Sequence, residues 1–242
     1  MKTIVIPDVH LTTEVPKEYE LVKKFIEDFK PDEIIILGDF MDCSSLSHWN
    51  DSKSKSMEGK RWTKEVRVAN KELDFLQKHT KKVTYLEGNH ENWVEQYVEK
   101  HPEMEGMIEI PLKLKLKKRG IAWHKYNTLY KIGSLYFTHG CYTGKYHANK
   151  HLQSFGCNLV YGHSHNTQTS MQNMKMQDVY MAYGLGCLCD HSPSYMKGRP
   201  ANWINQFAVV YFDTEGSFNL YPVNIINDKF MFEGKEYKQE DE

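Results

Sequence analysis

Five short segments of this chain place metal-ligand side chains directly after an apolar run: Asp8-Val9-His10, Gly38-Asp39-Phe40-Met41-Asp42, Gly88-Asn89-His90-Glu91, Thr138-His139-Gly140 and Gly162-His163-Ser164-His165. Asp8 and His10 are two apart, and on an extended segment residues i and i+2 face the same side, so both can reach one ion. Asp39 is the natural bridge between two ions, because a carboxylate has two oxygens. Asn89 offers an amide oxygen, His139 and His163 offer imidazoles, and His165 can return to the ion of Asp8 and His10. Mixed nitrogen and oxygen ligation suits Mn, Fe or Zn better than Ca. Two ions roughly 3.5–4 Å apart polarise a phosphoryl group and activate water near neutral pH. The chemistry expected is therefore two-metal hydrolysis of phosphate esters. Each segment alone has an ordinary explanation. A lone Asp-x-His is a surface coincidence, a lone Gly-Asp is a turn, and a lone His-x-His is an edge-strand pair or a weak metal clamp. Five of them in order, each after an apolar run, favour the metal centre.

Ligands so far apart in sequence converge only if the fold brings the ends of several strands together. In open α/β sheets the residues just past the carboxyl ends of strands line the site. Thr3 to Ile6 reads as a buried strand. Glu18 to Phe29 reads as a helix, with Tyr19, Val22, Phe25, Ile26 and Phe29 at helical spacing. Glu33 to Leu37 is a second buried strand, completing a βαβ unit with parallel strands. Cys43 to Lys60, rich in Ser, Lys and Asp, reads as a loop. Trp62 to His79 is expected to be helical, with Val66, Leu73 and Leu76 on one face. A strand at Val83 to Leu86 and a helix at Trp93 to Lys100 follow. After Gly120 short strands are expected at Leu135 to Phe137, Asn158 to Tyr161, Val179 to Tyr183, Phe207 to Phe212 and Ser217 to Pro222. The polar segment after Phe230 reads as a surface hairpin or frayed tail. The expected architecture is a β-sandwich core flanked by helices concentrated in the first half. At 242 residues the chain fits one domain over 1–242, with loop insertions near 43–61 and 187–205.

Hydrophobic residues make up 40% and charged residues 26% of the chain, enough core and an ordinary surface. A net charge of −1 gives no composition-level argument for nucleic acid or a membrane as partner. The cysteines, Cys43, Cys141, Cys157, Cys187 and Cys189, are odd in number and irregularly spaced, so no disulfide framework or structural zinc site is indicated. The N-terminal apolar run is too short for a signal-peptide core. No stretch approaches the roughly 20 apolar residues that span a bilayer. A reducing, cytoplasmic setting is expected.

The five segments resemble those of the calcineurin-like metallophosphoesterase superfamily, over residues 3 to about 185. The resemblance implies an α/β fold of that family's kind, a four-layer α/β/β/α sandwich with mixed sheets. It implies Asp8, His10, Asp39, Asn89, His139, His163 and His165 as ligands of two divalent metal ions, Mn first, with Fe, Zn, Ni or Mg as alternatives. It implies that His90 contacts the phosphate and protonates the leaving group, and that Asp42 orients it. The family's protein Ser/Thr phosphatases follow Gly-Asp-x-x-Asp with Arg-Gly, and here Cys43-Ser44 occupies that place, which points away from a protein phosphatase and towards a phosphodiesterase or nuclease. Asp190 to Trp203 resembles the matching stretch of phage-encoded members, which would place the protein in a host cytoplasm. A phosphate ester is the expected substrate, with nucleic acid or a nucleotide as its chemical form; nothing in the sequence sets an oligomeric state.

Several further residues are weighed as pocket lining. His48 and Trp49 could stack on a base or sugar, and Lys53, Lys55, Lys60 and Arg61 could contact phosphates; the plain alternative is a solvated loop. Tyr142, Lys145 and His147 follow His139 as substrate-binding or rim residues. His191, Tyr195, Lys197 and Arg199 form a lid or a connector. Lys113 to Arg119, five cations in seven residues, reads as a solvated face more readily than as a backbone-binding patch. Met171, Met174 and Met176 read as loop or core filler. Two rivals share the sequence: a phosphomonoesterase or nucleotide hydrolase with the same site, and a non-catalytic scaffold, for which no ligand or acid histidine is missing.

Overall fold

Strand β1 (Lys2–Ile6) and strand β2 (Glu33–Ile36) pair in parallel, with Ile4 opposite Ile34 and Ile6 opposite Ile36. Both read as unbroken apolar runs because both faces are covered. Ile4, Ile6, Ile34 and Ile36 face one apolar cluster, while Val5 and Ile35 face another. The computed structural model describes residues 1–47, 50, 55, 57–173, 179–190 and 198–239. His48, Trp49, Lys53, Met174, Met176, His191, Tyr195 and Lys197 lie outside the described residues.

Helix α1 (Lys17–Phe29) links the first two strands. A 3-10 turn at Ser44–Leu46 precedes α2 (Trp62–His79), and β3 (Lys82–Leu86) and α3 (Asn89–Lys100) follow. Two short helices, α4 (Ile110–Lys113) and α5 (Leu116–Arg119), lead to β4 (Ala122–His124). The second half carries β5 (Tyr130–Ile132), β6 (Leu135–Thr138), α6 (His147–Phe155), β7 (Asn158–Tyr161), β8 (Gln168–Asn173) and β9 (Val179–Gly184). Strands β10 (Gln206–Phe212) and β11 (Phe218–Asn224) and a hairpin of β12 (Lys229–Phe232) and β13 (Lys235–Lys238) complete the order.

The first sheet runs β11-β10-β1-β2-β3-β4 and the second β5-β6-β7-β9-β8. In the first, β1 to β4 are parallel and β10 and β11 antiparallel; in the second, β6, β7 and β9 are parallel. Val5, Ile35, Leu37, Leu135, Phe137, Val160 and Val210 fill the space between the sheets. The outer face of the first sheet is covered by α1, α2 and α3 through residues such as Phe25, Leu73 and Val94. Ala148 and Leu152 of α6 cover Leu159, Tyr161 and Ala182 on the outer face of the second. The result is the four-layer α/β/β/α sandwich. Fully burying side chains of this size stabilises by about 1.5–3 kcal/mol each before entropy is counted.

Some expectations need correction. Helices α1 to α5 lie in the first half, as expected, while α6, not expected from the sequence, lies in the second and supplies the fourth layer. α3 begins at Asn89 rather than Trp93, because the Glu91 carboxylate accepts the Gly88 N–H at 3.0 Å and caps the first turn. Met171 is on β8 and 62% exposed, neither loop nor core. The segment after Phe230 is a hairpin, as one of its two expectations had it, β12–β13, and it packs on α1 through Phe25.

Candidate metal centre

Asp8 follows β1, Asp39 follows β2, Asn89 follows β3, His139 follows β6 and His163 follows β7, all at carboxyl ends. Backbone bonds lock the first two loops together: His10 N–H donates to Asp39 O at 2.9 Å and Leu11 N–H to Phe40 O at 2.8 Å. The loops are tight enough that Asp8, His10, Asp39, His163 and His165 all take positive φ, between 35° and 68°. Such backbone in non-glycine residues persists only where surroundings over-determine it, and it clusters at functional sites. Glycine is needed where backbone meets carboxylate. A Cβ on Gly88 would collide with Asp39, and one on Gly162 with Asp8.

The seven expected ligands converge. His10 Nε2 lies 3.1 Å from His165 Nε2 and 3.7 Å from Asp39 Oδ2, and His165 Nε2 lies 3.4 Å from Asp8 Oδ1. On the other side His139 Nε2 is 3.4 Å from Asp39 Oδ2 and 2.9 Å from Asn89 Oδ1, with the His163 ring 5.0 Å from that of His139. Asp39 belongs to both groups. Three sets of side chains each bring ligand atoms within 4.8 Å of one another: His10, Asp39 and His90; Asp39, His139 and His163; and His10, His165 and Cys189.

The donor chemistry fits a divalent ion in each half. His139 Nδ1–H donates to Leu37 O at 3.0 Å, which turns Nε2 towards the oxygens of Asp39 and Asn89. A bare imidazole nitrogen facing two oxygen acceptors needs a cation or a proton between them. The Nδ1–H to carbonyl bond is the kind of outer contact that orients metal-bound histidines. Asp8 accepts the His163 N–H with both oxygens at 3.0 Å, which fixes its plane.

Charge is arranged accordingly. Burial pushes Asp39 upward, but the imidazoles of His139, His90 and His10 outweigh it and hold the carboxyl well below the usual range. Burial pulls His139 and His165 down, yet Asp39 raises His139 to about 9 and Asp8 raises His165 to about 10. His163 goes the other way, to about 4, because burial and neighbouring His139 dominate.

His90 Nδ1–H donates to the backbone carbonyl of Asp42 at 2.8 Å, and the Asp42 carboxylate is 3.6 Å from the same nitrogen. His90 Nε2 therefore points inward, 3.9 Å from Asp39 Oδ2. Burial opposes its protonation, but Asp39 and Asp42 raise its pKa to about 9. Asp42 holds the ring partly through its main chain, a route the sequence does not reveal.

Four contributors were not assigned a role from sequence. The Glu91 carboxylate accepts the N–H groups of Asp39, Met41 and Gly88 and the Tyr85 hydroxyl, at 2.8–3.0 Å. Its place three residues into α3 was the available signal. Trp93 lies over His90 with ring centroids 3.8 Å apart, and Trp203 meets His165 at 4.3 Å. Cys189 Sγ lies 3.8 Å from His165 Nδ1. None of these three has a local sequence signature.

Among the lining residues, Lys60 Nζ donates to Ser44 Oγ at 3.4 Å beside the ligand loop, while Lys55, Arg61 and Arg199 are exposed. Tyr142 is part of the α6 surface, with Lys150 Nζ 4.2 Å from its ring centroid and Ser154 Oγ donating to its hydroxyl. Lys145 is exposed. His147 is neither a rim nor a substrate residue: it is buried in α6 with Nδ1 2.6 Å from the Tyr161 hydroxyl. In the basic run Leu114 and Leu116 are buried and Arg119 is tied to Asp74, Gln77 and Asn70, so it forms a packed corner with lysines outside.

The calcineurin-like phosphoesterase family model matches residues 1–167, and the chain belongs to that family. Two curated relatives are bacteriophage proteins. The Gene 54 protein of Mycobacterium phage L5 is 24% identical over 253 residues, covering 97% of each chain. The Gene 54 protein of Mycobacterium phage D29 is 24% identical over 229 residues, covering 88% of this chain and 89% of the relative. Among solved structures, wild-type Vps29 from Entamoeba histolytica complexed with Zn²⁺ aligns over 98% of this chain and 99% of its own, with a TM-score of 0.52 and 12% identity, a likeness of fold. No helix among the described residues is long and apolar enough to cross a membrane.

Proposed function

We propose that this protein is a metal-dependent phosphodiesterase acting on diesters of the nucleic-acid type. The observation that carries the reading is Asp39, a buried carboxylate shared by two clusters of ligand atoms, with the inward-facing His90 beside it. Asp8, His10, Asp39 and His165 would hold one divalent ion, and Asp39, Asn89, His139 and His163 the other. When bound, the ions would polarise the phosphoryl group and activate water. The Zn²⁺ of the Vps29 relative is consistent with a divalent ion of that kind.

The chain's own residues do the rest. Asp39 aligns the two halves, and Glu91 keeps it in place by accepting its N–H. His90, protonated at neutral pH under the influence of Asp39 and Asp42, donates its Nε2 proton to the departing alkoxide. Its Nδ1–H is already committed to the Asp42 carbonyl, so the second nitrogen is the one that serves. Trp93 packs on the ring and limits its rotation.

The diester preference is supported at position 43. A doubly charged monoester benefits from an arginine gripping its extra charge. Cys43, buried and in left-handed backbone, stands there instead. The chain would work as one domain, with the loops near 43–61 and 187–205 flanking the crevice. The phage relatives support a phage-encoded protein working in a host cytoplasm.

The test is hydrolysis of bis-p-nitrophenyl phosphate against p-nitrophenyl phosphate with Mn²⁺ added and Asp39→Ala as control. Diester cleavage that disappears in the variant is expected. Monoester cleavage alone would replace this reading with a phosphatase, and inactivity on both with bound metal would favour a scaffold.

A further inference from the structure

Helix α2 carries a basic ridge that the reaction proposed above does not use. Lys64, Arg67, Lys71, Asp74 and Lys78 follow one another at intervals of three or four residues. At about 100° per residue they fall within about 80° of one another. All of them are exposed, while Glu65, Ala69, Glu72, Leu73 and Leu76 are buried on the opposite side of the helix. The acid in the row is neutralised: Asp74 Oδ1 accepts from Arg119 Nη1 at 2.6 Å, and the same guanidinium donates to Asn70 and Gln77. The cations are not answered in this way. Among the described residues Arg67, Lys71 and Lys78 have no hydrogen-bond or ion-pair partner, and Lys64 reaches only the Gly59 carbonyl at 3.5 Å. A merely solvated helix face alternates its charges; this one is positive along its length.

The ridge is aimed at the candidate centre. β2 and β3 are parallel, and α2 leaves the carboxyl end of one to return to the amino end of the other. Thr80 Oγ1, just past the helix, donates to the carbonyl of Pro31, just before β2, at 3.1 Å. The N-terminal end of the ridge therefore lies at the end of the sheet that carries Asp39 and Asp42. Exposed Lys60 continues the row there and donates to Ser44 Oγ at 3.4 Å. With a rise of about 1.5 Å per residue, the 18 residues of α2 run about 27 Å away from the centre. A row of unpaired cations fits a row of phosphates, and a diester substrate of the nucleic-acid type carries such a row on either side of the bond to be cut. An anionic membrane surface asks for apolar side chains beside the cations, and α2 has no exposed large hydrophobic residue.

We propose that Lys64, Arg67, Lys71 and Lys78 form a track for the phosphate backbone of a nucleic-acid strand, leading it to the metal centre and holding it by charge without reading its bases. The proposal rests on the diesterase reading of the preceding subsection and deepens it, from a diester in general to a polymeric strand.

Fluorescence anisotropy of the full-length chain with a labelled single-stranded DNA, in EDTA to prevent turnover, tests the track apart from the chemistry. A probe of about 12 nucleotides outreaches the ridge at about 3.4 Å per nucleotide. Four strand contacts predict a slope of log affinity against log salt of about −2.8, a loss of roughly fiftyfold between about 50 and 200 mM KCl. The combined variant Lys64→Gln, Arg67→Gln, Lys71→Gln and Lys78→Gln should flatten the slope by about that amount and weaken binding at low salt about tenfold or more. Lys150→Gln, on α6 in the opposite layer, removes an exposed cation and should change neither. With Mn²⁺ added, cleavage of the same DNA relative to bis-p-nitrophenyl phosphate should fall about tenfold or more in the combined variant, a ratio that damage to the metal centre itself leaves unmoved. Equal slopes in parent and combined variant overturn the track, whatever the ester assays show. Binding to phosphatidylserine vesicles with none to DNA overturns nucleic acid as the occupant. Inactivity on both esters, with salt-dependent DNA binding that the combined variant loses, overturns the diesterase reading and keeps the track. If the combined variant does not fold by circular dichroism, Lys71→Gln alone decides, with an expected slope change of about 0.7.

Discussion

The two sheets bring different chemistry to the crevice they share. The first sheet supplies every carboxylate and amide oxygen of the candidate centre, on Asp8, Asp39, Asp42 and Asn89, together with the imidazoles of His10 and His90. The second supplies imidazoles only, on His139, His163 and His165, and after β9 the thiol of Cys189. Where they meet, a carboxylate faces an imidazole: Asp39 and His139 at 3.4 Å, Asp8 and His165 at 3.4 Å. An acidic wall against a basic wall means that the centre exists only when the sheets are packed correctly. Geometry at the ligands therefore reports on the apolar interface beneath them.

Removing the bridging carboxylate breaks this opposition most severely. Asp39→Ala should lower diester hydrolysis by about 10³-fold or more, and metal content by elemental analysis should fall with it. Next comes the acid. His90→Asn should cost about 10²–10³-fold with an alkoxide leaving group and much less with p-nitrophenolate, which needs no proton; comparing the two leaving groups checks the role.

Glu91→Ala acts on the oxygen wall through its scaffold. It strands the N–H groups of Asp39, Met41 and Gly88, and at about 1–3 kcal/mol for each buried unpaired group the loss should reach roughly 3 kcal/mol in a urea titration. Glu65, on α2, sharpens the comparison from the acidic side. Its Oε2 has no hydrogen-bond partner, and burial, aided by Asp42, raises its pKa from 4.5 to about 7. A raised folded-state pKa means that the protonated form belongs to the fold. Its contribution is fully present below pH 4.5 and is lost as pH rises through about 7. Glu65→Gln should flatten that decline and leave the protein about 1–3 kcal/mol more stable than the parent above pH 7, measured as midpoints across pH. The smallest effect is expected far from either wall: Lys117→Ala, on the exposed side of α5, should change stability by less than about 0.5 kcal/mol and leave hydrolysis unchanged.

The same asymmetry explains what could be read in the sequence. β1, β2, β3 and β7 are buried on both faces, so each appears as an apolar run ending in a candidate ligand. β8, Gln168–Asn173, is largely exposed and shows no alternation. α6 conceals its apolar face behind His147 and His151, both buried, which a hydrophobic pattern scores as polar. The ligand motifs were legible because glycine and aspartate must sit at strand ends for the chain to turn and the carboxylates to approach. Glu91, Trp93, Trp203 and Cys189 were not, since their value comes from partners distant in sequence or from packing. The left-handed backbone at His10 and Asp39 was likewise invisible, because neither residue type announces it.

The placement of β1 has a consequence for synthesis. It is made about 200 residues before its partner β10, with Lys2 opposite Tyr211. Until the ribosome has released residues up to about β10, one edge of an isoleucine- and valine-rich strand remains open. A truncated product ending before Gln206 would keep it open permanently, with the backbone hydrogen-bonding groups of Thr3 and Val5 available to any passing chain. Strand β1 is thus made long before the strand that seals its edge, so the edge closes only late in synthesis.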